Sequence, residues 1–154
     1  MRLNLCAVGT RPPAWVAQGF ADYAKRLPRD NHLDLTEVAA ADRRRGGGAD
    51  RWKEEEAERL LQAAGSARIV ALEVGGRPWS TEDLAARLED WRMQGGDVAF
   101  LVGGPDGLAP RVLSAATQQW SLSPLTLPHA LVRIVVAEQL YRAWTLMTGH
   151  PYHR

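Results

Sequence analysis

Three short apolar runs, each stopped by glycine, constrain the fold of this chain more than any other feature. They are Leu3 to Val8 before Gly9, Ile69 to Val74 before Gly75-Gly76, and Val98 to Val102 before Gly103-Gly104. Runs of this length bounded by turn residues read as buried strands. Helical patterns lie between them. Pro12-Pro13 leads into a helix with apolar positions at Trp15, Val16, Phe20 and Tyr23, and Asp50 to Ala64 runs from acidic to apolar and stops at Gly65. Ser80-Thr81-Glu82-Asp83 offers N-cap chemistry for a helix to about Gln94, Pro110 starts another, and Leu131 to Met147 forms the last. Leu33 to Val38 alternates as a half-exposed strand would. Strands alternating with helices define an α/β fold with a mostly parallel sheet. Ligands of such sheets bind beyond the carboxyl ends of the strands. The glycines at three of those ends are read as one edge where a ligand approaches backbone.

At 154 residues the chain is expected to be a single domain, residues 1–154, with a core of its own. Hydrophobic residues make up 45% and charged residues 24%, ordinary values for a globular protein. The apolar runs are too short to span a bilayer, and the N-terminus lacks the pattern of a signal peptide. The single cysteine, Cys6, falls inside a strand and reads as a small core residue. These features predict a cytoplasmic protein with no membrane partner. The 19 basic and 18 acidic residues nearly cancel, so the distribution of charge matters more than its total. Arg43-Arg44-Arg45 forms a basic clump in a loop from Ala39 to Asp50, read as flexible. The C-terminal end carries Arg142, His150, His153 and Arg154 with no acid after Glu138. Local positive surface of this kind suits a nucleic-acid partner. An arginine clump among glycines is equally a solvated surface.

Several familiar sites are excluded. No Gly-x-Gly-x-x-Gly follows the first strand, no Gly-Lys-Ser/Thr makes a P-loop, and neither His-Glu-x-x-His nor Gly-x-Ser-x-Gly is present. One cysteine and four scattered histidines argue against a metal site. What remains is a backbone-rich, apolar, metal-free pocket between Gly103-Gly104-Pro105-Asp106-Gly107 and Ser121 to His129, suited to a nucleoside-bearing cofactor. The helix Leu131 to Met147 is apolar around most of its circumference, with Glu138, Arg142 and Thr145 on one narrow stripe. Such a helix must be buried on more than one side. A helix-mediated homodimer answers that need, as does a central position within one chain.

Leu101 to Leu108, Ser121 to His129, Ala137-Glu138-Gln139-Leu140-Tyr141-Arg142-Ala143 and the terminal His150-Pro151-Tyr152-His153-Arg154 carry a resemblance that extends over essentially the whole chain. Together they resemble the RlmH family, bacterial methyltransferases of the SPOUT superfamily that act on a pseudouridine of large-subunit (23S) ribosomal RNA. The least family-like stretch is Ala41 to Asp50. The resemblance implies a mostly parallel sheet flanked by helices with a deep C-terminal trefoil knot, a topology that connection rules alone disfavour. It also implies S-adenosyl-L-methionine as cofactor, a homodimer, and ribosomal RNA as partner, on the large subunit or the assembled ribosome.

Carried over by position, the cofactor contacts would be Leu72, Gly103 and the loop Leu122, Ser123, Pro124, Leu125, Thr126 and Leu127. Glycine would let backbone approach the ligand, and Pro124 would stiffen the loop. Taken singly, Ser123, Leu125 and Leu127 also fit ordinary strand packing. The acceptor implied is N3 of the pseudouridine, an imide nitrogen that must lose its proton. Candidates for that chemistry are Arg142 and Arg154 for anion or phosphate contacts, Tyr152 for base stacking or a hydrogen bond, and His153 as proton acceptor or orienting group. His129 is a further candidate, and is otherwise read as a cap of the last helix. Glu138 and Arg142 at four-residue spacing also fit a helix ion pair. A different class, a non-catalytic dimeric RNA- or nucleotide-binding protein that keeps the pocket, uses the same residues.

Overall fold

The structure, a computed structural model, describes residues 1–153. Its elements alternate in chain order: β1 (Leu3–Val8), α1 (Ala14–Ala24), β2 (Leu33–Val38), α2 (Gly48–Ala64), β3 (Arg68–Pro78), α3 (Thr81–Gln94), β4 (Val98–Val102), α4 (Pro110–Ala115), β5 (Gln118–Ser121) and α5 (His129–Thr148). The strands form one sheet in the order β2-β1-β4-β3-β5, and every neighbouring pair is parallel. The α/β reading with a parallel sheet therefore holds.

Strand periodicity builds the three layers. Leu3, Leu5 and Ala7 of β1, with Val98, Phe100 and Val102 of β4, meet α1, α3 and α5 through Phe20, Leu88 and Leu140. Cys6, Val8, Ala99 and Leu101 point the other way, against Ala57 and Leu60 of α2 and Val112 of α4. All five residues of β4 are buried, as expected for a strand covered on both faces. Each large side chain so buried contributes about 1.5–3 kcal/mol of transfer free energy.

α3 starts where the N-cap signal lies: Asp83 N–H donates to Ser80 Oγ and Ser80 N–H to Asp83 Oδ2, both at 3.0 Å. That pair of bonds satisfies two helix-end donors and holds the Asp83 carboxyl below its ordinary range. α5 lies against the sheet between α1 and α3. Gly19 faces Ile134, and the Arg26 guanidinium sits 5.6 Å from the Tyr141 ring centre, so α1 and α5 run parallel. The apolar circumference of α5 is thus largely covered within one chain. No helix among the described residues is long and apolar enough to cross a membrane.

Two expectations are corrected. β3 does not end at Gly75 but continues to Pro78, with Leu72 and Arg77 both registered against Trp120 of β5. A Cβ on Gly76 would lie 2.7 Å from the Gln119 carbonyl, so this glycine permits strand contact instead of stopping the strand. The loop Ala39 to Asp50 is structured. Arg43–Arg45 forms a single 3-10 turn capped by Asp42, which accepts from Arg44 N–H at 3.1 Å, and α2 begins at Gly48.

Candidate cofactor pocket and substrate end

A cavity of about 560 Å³ opens beyond the carboxyl ends of β4 and β5, alongside Leu72 to Val74 in the middle of β3. Its size suits a drug- or cofactor-sized ligand. Leu72 closes one side, Gly103 and Gly104 form the floor, and the segment Leu122 to His129 forms the far wall. Of the residues expected at a cofactor, Leu72, Gly103, Leu122, Ser123, Leu125, Thr126 and Leu127 line the cavity. Pro124 is exposed at the loop apex and does not. The loop is held by its serines: Ser121 Oγ donates to Ser123 O at 3.1 Å, and Leu125 N–H donates to Ser123 Oγ at 3.0 Å. Leu125 is left 71% exposed at the mouth, apolar surface open to a ligand.

The glycines divide differently from the sequence expectation. A Cβ on Gly103 would lie 2.6 Å from the carbonyl of Gly107, so its close approach is to its own loop. Gly104 and Gly107 close that loop as an antiparallel bridge. Gly9 is covered by the Arg133 guanidinium, and Gly75-Gly76 lie within β3, so neither joins the cavity. Only one of the three glycine-marked ends faces it.

His129 opens α5 and lines the cavity; the N-cap position is Pro128 and no side chain caps the helix. The cap reading of His129 is therefore replaced by a pocket position. Arg133, one turn on, was not singled out. It is buried, bonds Glu37 Oε2 of β2 at 2.5 Å, and donates to the carbonyls of Val8 and Gly9 at 3.2 and 2.8 Å. It ties the first turn of α5, and with it His129 and Val132, to the ends of β1 and β2. A lone arginine in the apolar run Leu131 to Ala137 was the available signal for such a buried anchor. Glu56 of α2 is also buried: Oε2 accepts from Ala41 N–H at 3.0 Å, while Oε1 lies behind Gly104 with no hydrogen-bond partner.

The expected substrate end gathers at the opposite end of α5. Arg142 donates to Glu138 Oε1 from Nε at 2.8 Å, with Nη2 at 2.6 Å, and its guanidinium stacks 5.1 Å from the centre of the Tyr152 ring. The Tyr152 hydroxyl donates to the same carboxylate at 3.3 Å, and its ring packs 4.6 Å from that of Tyr141. Burial first, then the Glu138 charge, pushes the Tyr152 phenol above its ordinary pKa, while Glu138 raises that of Arg142. This corner therefore presents a neutral phenol and a fixed cation. Arg142 is ten residues beyond Val132, a rise of about 15 Å along a helix. Among the described residues, neither Arg142 nor Tyr152 lines the cavity. The His153 side chain and Arg154 lie outside what the structure describes.

A parallel sheet with a backbone-walled cavity beyond strand carboxyl ends gives the chain the architecture of α/β ligand-binding proteins. The model of a family described as "Predicted SPOUT methyltransferase" matches residues 1–153, and the chain belongs to that family. It is 55% identical over 155 residues to the ribosomal RNA large subunit methyltransferase H of Hahella chejuensis, covering 100% of this chain and 99% of that protein. The protein of the same name from Pseudomonas fluorescens is 54% identical, with 100% of both chains covered. Among solved structures, a probable methylase family protein from Haemophilus influenzae Rd KW20 superposes with a TM-score of 0.60 at 13% identity. That match spans 99% of this chain and 70% of the other, a likeness of fold.

Proposed function

We propose that this protein is an S-adenosylmethionine-dependent methyltransferase acting on N3 of a pseudouridine in large-subunit ribosomal RNA. The observation that carries the reading is the cavity walled by Gly103 to Gly107 and Leu122 to His129, in a chain that matches the two named ribosomal RNA methyltransferases from end to end. The pocket fits the cofactor's chemistry. Leu72, Leu122, Leu125 and Leu127 offer apolar walls to an adenine, backbone groups of the two loops can read its edge, and Glu73 offers a carboxylate to a positive charge. When bound, S-adenosylmethionine supplies the methyl group as an electrophilic carbon on a sulfonium. The protein's part is to align the acceptor and exclude water.

Arg142 supplies permanent positive charge beside which an imide anion is stabilised. Tyr152, held neutral, donates a hydrogen bond or stacks on the base. His153 accepts or orients the N3 proton, and Arg154 contacts phosphate. Because Arg142 sits about 15 Å along α5 from Val132 at the cavity, the reading includes a homodimer in which the tail of one copy reaches the cavity of the other. Exposed Trp15 (55%) and Leu131 (38%), at the matching starts of α1 and α5, offer apolar surface for that contact. A deep trefoil knot, made by passing the α5 segment through the loop before it, completes the fold of this reading. A cytoplasmic location follows from the substrate.

Incubation with methyl-labelled S-adenosylmethionine and ribosomes, large subunits or free RNA tests the proposal. Label recovered as N3-methylpseudouridine is the expected result, and the substrate that accepts it identifies the assembly state. Cofactor binding without transfer to any RNA would leave a binding protein in place of an enzyme.

A further inference from the structure

A second cavity, of about 580 Å³, lies along the open edge of the sheet and shares no lining residue with the first. It forms where the extension of β3, Gly75 to Pro78, returns beside the edge strand β5. Arg77, Trp79, Arg87, Gln118 and Gln119 line it. Arg87, on α3, is stacked with its guanidinium 4.2 Å from the centre of the Trp79 ring. Trp79 in turn stacks on Trp120 at 5.0 Å and 14°, and Trp120 lines the cofactor cavity. A two-ring stack therefore separates the groove from the cofactor pocket.

The groove carries unused bonding capacity of two opposite kinds. Among the described residues neither Arg77 nor Arg87 forms a salt bridge. Arg87 Nε, a donor, and Gln118 Oε1, an acceptor, are enclosed yet have no hydrogen-bond partner. Enclosed polar atoms left unpaired are costly and uncommon, so both call for a partner. Two acids lie close by: Asp83, whose carboxyl feels the Arg87 charge, and Asp90, which shares a smaller neighbouring cavity with Arg87 and Gln118. Neither bonds the guanidinium. Stacking on Trp79 holds the Arg87 fork in one plane, which lowers the entropy lost when it engages an oxyanion.

A ligand that answers both atoms must present an acceptor, best an anionic one, to Arg87 and a hydrogen-bond donor to Gln118. The ribose–phosphate backbone of RNA does so, with phosphate oxygens for Arg87 and Arg77 and a 2′-hydroxyl for Gln118. We propose that this groove is a second RNA-backbone site, separate from the methyl-transfer pocket, that grips a phosphodiester and its 2′-hydroxyl. The assignment rests on the RNA substrate proposed above.

Arg77→Gln and Arg87→Gln test it, the first at an exposed position where folding is not at stake. Retention on purified large ribosomal subunits and methyl transfer to them are measured together across a salt series. Each variant is expected to raise KM for subunits roughly tenfold, as loss of a charge-assisted hydrogen bond implies. The change should fall on KM and not on kcat, and calorimetric S-adenosylmethionine affinity should hold. Each should also flatten the plot of log affinity against log salt by about 0.7–0.9. A single-stranded RNA oligonucleotide should compete better than its DNA counterpart; equal competition would leave only a phosphate site and overturn the 2′-hydroxyl assignment. Unchanged retention and salt slope in both variants would overturn the groove. If the wild type transfers no methyl group yet retention falls in the variants, the groove stands and the enzyme reading falls.

Discussion

Arg133 joins three elements: α5, β2 through Glu37, and the end of β1 through two carbonyls. Glu37 reaches solvent while Arg133 is buried, so Arg133→Met leaves the carboxylate hydrated but strips the Val8 and Gly9 carbonyls of their donor, and should cost about 2 kcal/mol in urea denaturation. Glu37→Gln added to that variant should cost little further, since its partner is already gone; a fully additive second loss would show that the pair is not coupled. Cys6 makes a different prediction. Burial pushes its thiol from an ordinary 9.0 up to about 11, so the folded state holds the proton more tightly than the unfolded chain. That contribution is complete below pH 9 and is lost as pH rises from 9.0 to about 11. The stability gap between wild type and Cys6→Ala should shift across that window and stay flat at neutral pH. The core role of Cys6 was legible in the sequence because every residue of its strand except Asn4 is apolar. The anchor role of Arg133 was not, since its partners lie 96, 124 and 125 residues away.

At the scale of elements, strands and helices were readable wherever local pattern and local chemistry agreed. β4 and the capped start of α3 fall where the residues place them, because burial on both faces and an N-cap are properties of a few adjacent positions. β3 ran past its glycines because what Gly76 answers is the distance to Gln119, which no local pattern encodes. The glycine loop shows the same contrast. Gly103→Ala would drive a Cβ into the Gly107 carbonyl and should cost about 2 kcal/mol and weaken S-adenosylmethionine binding. Gly104→Ala meets side chains of Val8 and Glu56 at 3.2 and 3.4 Å, which can give way, and should cost less. Equal losses, measured by denaturation and calorimetry, would remove the Gly103–Gly107 contact as the reason for the first glycine. Deleting residues 152–154 should leave cofactor affinity intact and abolish transfer, because Tyr152 packs on Glu138 and Tyr141 and does not line the cavity.

For the whole molecule, the separation of cavity from tail is the decisive geometry. If two copies share their parts, mixing the residue 152–154 deletion with Gly103→Val should give measurable methyl transfer from two inactive proteins. Continued inactivity of a verified mixed dimer would place both parts of a site in one chain. The site residues around the cavity could be named from the sequence through a resemblance, whereas their separation from the tail follows only from the length and course of α5. That same helix has a consequence for biosynthesis. α5 is synthesised after every strand it covers, yet it supplies Val136, Ala137 and Leu140 to the core and Arg133 to the ends of the first two strands. A nascent chain that has already completed its sheet therefore carries a bare apolar face between α1 and α3 until the last helix leaves the ribosome.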